Sequence, residues 1–173
     1  MKQIAFLASA LIFLVSCTPQ AETETKEIDE VAIQNVEIVK KLIQTYETED
    51  LDAMKELYTP DAVFIGPKYE DADTMSEKYW ESMTKWFDAI DSMKFDVVAI
   101  LPQVVEEGDL AGDWVLLWAN IDWYETESGK TMHILYHSPI RLSEGKIVYE
   151  VSYWNQWDLY KQLGAELKWP EKE

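Results

Sequence analysis

Residues 145–164 read GKIVYEVSYWNQWDLYKQLG, and this stretch decides how the rest of the chain is read. A Glu144-Gly145 turn opens it, and Ile147 to Gln156 alternates as a strand. A short amphipathic piece follows and ends at Gly164. Alternation of period two marks a strand with one face buried. The same period runs back through Met132–Leu142, Trp114–Tyr124 and Phe95–Leu101, with Ser128-Gly129 and Gly108 in the connections.

Upstream of residue 95 the period changes to that of a helix. Ile28, Val31, Asn35, Val39, Leu42 and Tyr46 share one face of a helix expected over residues 28–47. A shorter helix begins at Glu49-Asp50 and turns Leu51, Met54, Leu57 and Tyr58 inward, with Pro60 as its stop. Ala62–Ile65 is a short strand stopped by Gly66-Pro67, and residues 68–73 form a polar loop. Thr74 and Glu77 have the spacing of a capping box for a third helix reaching Ile90. Helices first and a strand meander after them imply an α+β domain, with the helices on one face of an antiparallel sheet.

The N-terminus reads as an address. Lys2 precedes an apolar run from Ile4 to Val15, too short to span a bilayer and suited to a signal-peptide core. Leu14-Val15-Ser16-Cys17 resembles the lipobox of bacterial lipoproteins, which implies lipid on Cys17 and a membrane-anchored protein of the bacterial envelope. Residues 1–17 are then the signal peptide, 18–27 a polar tether, and 28–173 one domain. Cys17 is the only cysteine, so the domain relies on its core rather than a disulfide.

Without Lys2, 14 cations face 33 acids, a charge of −19. Such a surface argues against nucleic acid as a partner and leaves membrane contact to the lipid.

Helix, short helix, LYTPDAVFIGP at residues 57–67, helix, meander and then GKI…YWN…LYKQLG together resemble the SnoaL-like branch of the nuclear transport factor 2 superfamily. The resemblance spans about residues 30–164. It implies a cone-shaped, cystatin-like fold with three N-terminal helices packed in a strongly curved sheet. It also implies a pocket at the cone's open end and a homodimer formed through the outer face of the sheet. Relatives include isomerases, dehydratases, cyclases and hydrolases, along with proteins that catalyse nothing.

Two-residue turns at Ser128-Gly129 and Glu144-Gly145 would set Ile121 opposite Tyr136, and Tyr136 opposite Tyr153. Alternate residues from Val115 to Trp123, from Met132 to Leu142 and from Ile147 to Asn155 would then face the helices. A bulge in either turn would reverse part of this assignment. Trp114, Leu116, Trp118, Leu135, His137 and Trp154 would lie on the outer face as the dimer interface. Tyr46, Phe64, Trp80, Trp86, Tyr136, Tyr153 and Asn155 would line a pocket for a small apolar or aromatic ligand.

Asn155 stands where the enzymes of the resembled family often carry an aspartate. An amide does not titrate near neutrality, so the sequence favours binding without catalysis. The competing reading is acid–base catalysis by Asp122 with His137 or His133, or by Asp158. His133 and His137 lie four residues apart on a strand, about 13 Å, and cannot share a metal ion. No zinc spacing occurs, and Glu106-Glu107-Gly108-Asp109 lacks the alternation of a calcium loop, so no metal and no cofactor is expected.

Overall fold

The computed structural model describes residues 30–68 and 72–168. The signal peptide, Cys17 and the tether lie outside these residues. The element order is α1 (Glu30–Glu47), α2 (Leu51–Leu57), β1 (Tyr58–Ile65), β2 (Ala72–Thr74) and α3 (Glu77–Asp88). Then come β3 (Ile90–Val105), β4 (Gly112–Glu125), β5 (Lys130–Ser143), β6 (Lys146–Val151) and α4 (Gln156–Leu163). The fold is α+β, with the helices held in a curved sheet, the cone expected from the sequence.

Helices α2, α3 and α4 begin where a side chain can satisfy free backbone N–H groups. Asp50 caps α2 by accepting from Ala53 N at 3.0 Å. The cap of α3 is Ser76, which accepts from Tyr79 N at 3.2 Å, two residues beyond the expected Thr74. Thr74 is the last residue of β2, a short strand where a loop was expected. Val39, Leu42 and Met54 are buried on the inner faces of α1 and α2, but Val31 is 45 % exposed, so the first turn of α1 stands clear of the core.

The sheet has six strands in the order β2-β1-β6-β5-β4-β3. It is mixed rather than wholly antiparallel, because β1 runs parallel to β6. Between β4 and β5 the connection is the four residues 126–129. Ile121 therefore faces Ile134, and Ala119 faces Tyr136. This is a slip of two residues from the expected register, and an even slip keeps every side chain on its face. Val115, Leu117, Ala119, Ile121, Trp123, Met132, Ile140 and Leu142 accordingly line the core.

The β5–β6 connection behaves differently. Glu144 (φ 50°) and Gly145 (φ 75°) form a two-residue turn with both central residues left-handed, which suits a tight hairpin. Leu142 then pairs with Ile147, but Arg141 pairs with Tyr149. Val148 is an extra residue, a β-bulge, and it shifts everything after it by one. Tyr149, Val151 and Tyr153 turn outward, while Glu150 and Ser152 turn inward. This reverses the expected facing of β6 beyond Ile147.

Candidate functional site

The bulge places a carboxylic acid inside the cone. Glu150 is 1 % exposed and lies across from Phe64 of β1 and Ile140 of β5. A buried carboxylate needs hydrogen-bond donors, and strands β1 and β5 bring them. Tyr58, at the start of β1, donates its hydroxyl to Glu150 Oε2 at 2.5 Å. Ser138 and Tyr136 of β5 donate to Oε1 at 3.2 and 3.3 Å. Tyr136 also shares a 2.7 Å bond with the Ser152 hydroxyl, beyond β6. Tyr46 of α1 shares a hydrogen bond with Tyr58.

Among the described residues no cation is paired with the cluster. Burial raises the Glu150 pKa, and the hydroxyl donors oppose that rise without cancelling it. Burial and the nearby carboxylate push the Tyr58 and Tyr136 hydroxyls well up, so both remain donors at any physiological pH.

Aromatic rings flank the acid on two sides. Tyr58 contacts Trp80 at 5.9 Å, Trp80 contacts Tyr79 at 5.0 Å, and Tyr79 contacts Phe64 at 5.5 Å between ring centroids. On the other side Tyr136 meets Phe95 edge-on at 6.3 Å, and Phe95 meets Tyr46 at 5.7 Å. Tyr46 in turn meets Trp86 edge-on at 6.3 Å. Trp154 stacks on Tyr136 with centroids 6.2 Å apart. Tyr46, Trp86, Phe95, Tyr136 and Trp154 are all half-buried, as are Phe64 and Trp80 of the first group, so rings on both sides of the acid reach toward solvent.

Five of the seven expected pocket residues, Tyr46, Phe64, Trp80, Trp86 and Tyr136, belong to the two groups of rings on either side of Glu150. The other two do not. Tyr153 is 53 % exposed on the outer side, where it bridges His137 through paired backbone bonds. Asn155 is exposed and caps α4, its side chain accepting from Asp158 N at 3.1 Å. The absence of an acid at Asn155 therefore says nothing about the site. Glu150, Tyr58, Ser138 and Ser152 were missed. Nothing in the local sequence marks the bulge at Val148, and without it Glu150 reads as an outer residue.

The acids and histidines of the competing reading lie away from the interior. Asp122 and His133 form a 2.6 Å contact on the exposed outer face. His137 Nδ1 lies 2.9 Å from the Leu117 carbonyl oxygen, so Nδ1 carries the proton and donates it. The His137 ring stacks between Trp118, at 4.4 Å, and Tyr153, at 6.1 Å. Asp158 pairs with Lys161 at 2.8 Å, and that ammonium holds its carboxyl below the usual range. Among the described residues no group of three or more acidic, histidine or cysteine side chains could hold a metal ion.

Of the expected interface residues, Leu116, Trp118, Leu135 and His137 are outside. Trp114 is buried in its own protomer, with its indole N–H on the Leu110 carbonyl at 2.9 Å. Trp154 is on the inner side. Grooves on the described surface include one of about 550 Å³ between α1 and α2 and one of about 390 Å³ beside Arg141, and Glu150 lines neither of these.

A family model for the SnoaL-like domain matches residues 39–150. The chain belongs to the SnoaL-like family. No curated protein matches it. Among solved structures, this SnoaL-like chain is similar to a candidate SnoaL-like polyketide cyclase from Jannaschia sp. CCS1, at 17 % identity and a TM-score of 0.65, over 80 % of this chain and 97 % of that one. It is also similar to an LEH-like epoxide hydrolase from M. tuberculosis, at 13 % identity and a TM-score of 0.59, over 76 % and 90 %. A third is a protein with a ketosteroid isomerase-like fold from Catenulispora acidiphila, at 14 % identity and a TM-score of 0.60, over 78 % and 98 %. At these identities the likeness is one of fold.

The raised Glu150 pKa has a definite consequence for stability. The folded state holds the proton more tightly than the unfolded chain, so stability is full below about pH 4.5, the ordinary value for Glu. It falls as pH rises through the folded-state pKa of Glu150. Each pH unit of displacement is worth about 1.4 kcal/mol. Glu150→Gln keeps a carbonyl acceptor and cannot ionise, so its urea-denaturation stability should lack this decline. Parallel curves for the parent and the variant from pH 4 to 9 would show that Glu150 is not the titrating group.

Proposed function

We propose that this SnoaL-like domain binds a small, neutral, apolar or aromatic molecule at the half-buried aromatic mouth of the cone, and that lipid on Cys17 holds it at the bacterial cell envelope. One observation carries the binding reading. Tyr46, Phe95, Tyr136 and Trp154 form a run of ring contacts at the edge of the interior. The Tyr136 hydroxyl in that run already connects to Ser152 and Glu150. A flat ligand would bury apolar area on the rings and find one polar pole. A neutral ligand is favoured because this polar pole consists of a carboxyl and hydroxyls, with no cation among their hydrogen-bond partners to pair with an anion.

Acid–base catalysis is the second reading, and Glu150 rather than Asp122, His137 or Asp158 is the residue that favours it. A carboxyl whose pKa is raised by burial is the kind of group that can hold and release a proton near neutrality. The epoxide hydrolase and cyclase named among the structural neighbours suggest the first substrates to try.

N-phenyl-1-naphthylamine, a neutral aromatic fluorophore, provides a direct test. The parent should bind it, and Trp154→Ala should weaken binding about 3- to 10-fold, the value of one aromatic contact. A parent that leaves this probe and other neutral aromatics unbound would sink the binding reading. If the parent turns over an epoxide and Glu150→Gln abolishes turnover while retaining the fluorophore, the domain is an enzyme.

The anchor has its own test. Cys17→Ser should move the protein from the membrane fraction to the soluble fraction, and unchanged fractionation would refute anchoring by Cys17. We also infer a homodimer through Leu116, Trp118, Leu135 and His137, since Leu135 is 79 % exposed beside the Trp118–His137–Tyr153 stack. Trp118→Glu should give monomers by light scattering, and a parent that is already monomeric at micromolar concentration would remove the idea.

A further inference from the structure

Helix α4 is attached to the domain by little of its own apolar surface. None of its residues is fully buried, and only Leu159 packs against the core. Its hold on the sheet is polar. Gln162 accepts from the His133 N–H at 2.9 Å and donates to the His133 carbonyl at 2.7 Å, as a neighbouring strand would. Lys130 donates to the Gln162 carbonyl at 2.9 Å.

Around this segment Tyr153, Trp157, Tyr160, Leu163 and Leu167 are 53, 38, 44, 42 and 56 % exposed. On the arc of the helix that runs from Trp157 round to the core-packed Leu159 come Tyr160 and then Leu163, while Leu167 follows the Gly164 cap, outside the helix. An aqueous domain gains nothing by leaving such a row in water.

Its composition points to one kind of partner. Tyrosine and tryptophan beside leucine is the mixture that settles at a bilayer surface, with rings at headgroup level and aliphatic groups below. The charge agrees. Residues 153–168 hold Asp158 and Glu166 against Lys161 and Lys168, a balance of zero in a chain of −18. The rest of the surface would be repelled by anionic lipid, and this segment would not. The other exposed row, Val97, Val98, Leu101 and Val104 on edge strand β3, is aliphatic and has no such aromatics.

The anchor can reach. Twelve residues separate Cys17 from Glu30, about 45 Å when extended. Helix α1, 18 residues long, spans about 27 Å. Its C-terminal end is at the mouth, where Glu47 accepts from Phe95 N at 2.9 Å. The sheet pairing runs from Lys94 through Asp122 to His133, which places α4 at that same end.

We propose that the exposed Trp157 and Tyr160 side of α4, with Leu163 at its edge, docks on the lipid bilayer and turns the aromatic mouth of the cone toward it, so that an apolar ligand enters from the membrane. The orientation rests on the lipoprotein reading and on the mouth as the binding site; the docking surface itself does not.

The test uses the full-length lipoprotein, purified and reconstituted in vesicles of three parts phosphatidylcholine to one part phosphatidylglycerol. Part of the phosphatidylcholine is brominated along its acyl chains, which quenches tryptophan at the bilayer. The parent should be quenched, and the Trp157→Ser, Tyr160→Ser double variant should lose at least half of that quenching. Leu163→Ser, which removes no tryptophan, should reduce it as well. Melting temperatures within a few degrees of the parent certify that the variants fold.

Equal quenching in parent and variants overturns the proposal. So does an unquenched parent, or a parent dimer that the substitutions dissociate while quenching persists. If mass spectrometry finds no lipid on Cys17, the anchoring reading fails separately. The same chain added to the same vesicles from solution then decides the docking surface: quenching that depends on Trp157 upholds it, and no quenching overturns it.

Discussion

The domain is organised around one buried carboxyl group. Glu150 is almost wholly removed from water without a cation, and only hydroxyl donors compensate it. Tyr58 comes from β1 and Ser138 and Tyr136 from β5, so the acid ties β6 to both, and through Tyr58 and Tyr46 it reaches α1. Leaving such a group without partners would cost several kcal/mol, a sizeable share of the stability of an ordinary domain. An apolar residue would hold these elements together more simply. A buried acid with a raised pKa is instead a group that responds to protons and to a polar ligand, which is why the site is read here rather than on the exposed acids.

One extra residue is responsible for this arrangement. Val148 shifts β6 by a single position, so Glu150 goes in and Tyr149 goes out. The outward Tyr149 then lies on Arg141, whose guanidinium is 5.7 Å from that ring and 6.0 Å from Trp114. Arg141 is the only arginine in the chain, and two aromatic faces hold it where a carboxylate commonly would. Outward Tyr153 completes the stack with His137 and Trp118. The same bulge thus sets both the interior acid and the aromatic character of the outer face.

The contrast between the two hairpins explains what the sequence could disclose. Around residues 126–129 the pairing differs from the expected register by two, and every inward residue of β4 and β5 is still inward, because the strand period is two. At residues 144–145 the turn is as expected, yet one extra residue inverts the strand beyond it. Hydrophobicity could not reveal this inversion, since Tyr149, Val151 and Tyr153 are as apolar as an inner face requires. Glu150 and Ser152 then looked like solvent residues. The family, the helices and most of the core were legible from periodicity and turn residues. The polar centre was not, because it depends on a backbone irregularity with no compositional mark.

A similar limit applies to α4. Its sequence reads as an ordinary closing helix, amphipathic and ended by Gly164 in the left-handed conformation that glycine tolerates. Amphipathicity alone would turn its aromatics inward. The structure instead uses Leu159 and the Gln162 amide for attachment and leaves Trp157 and Tyr160 on the solvent side. The inward role falls to Trp154, one turn earlier, which stacks on Tyr136 at the mouth. Tryptophans three residues apart are therefore placed differently: Trp154 stacks on Tyr136, whose hydroxyl reaches Glu150, while Trp157 is left exposed.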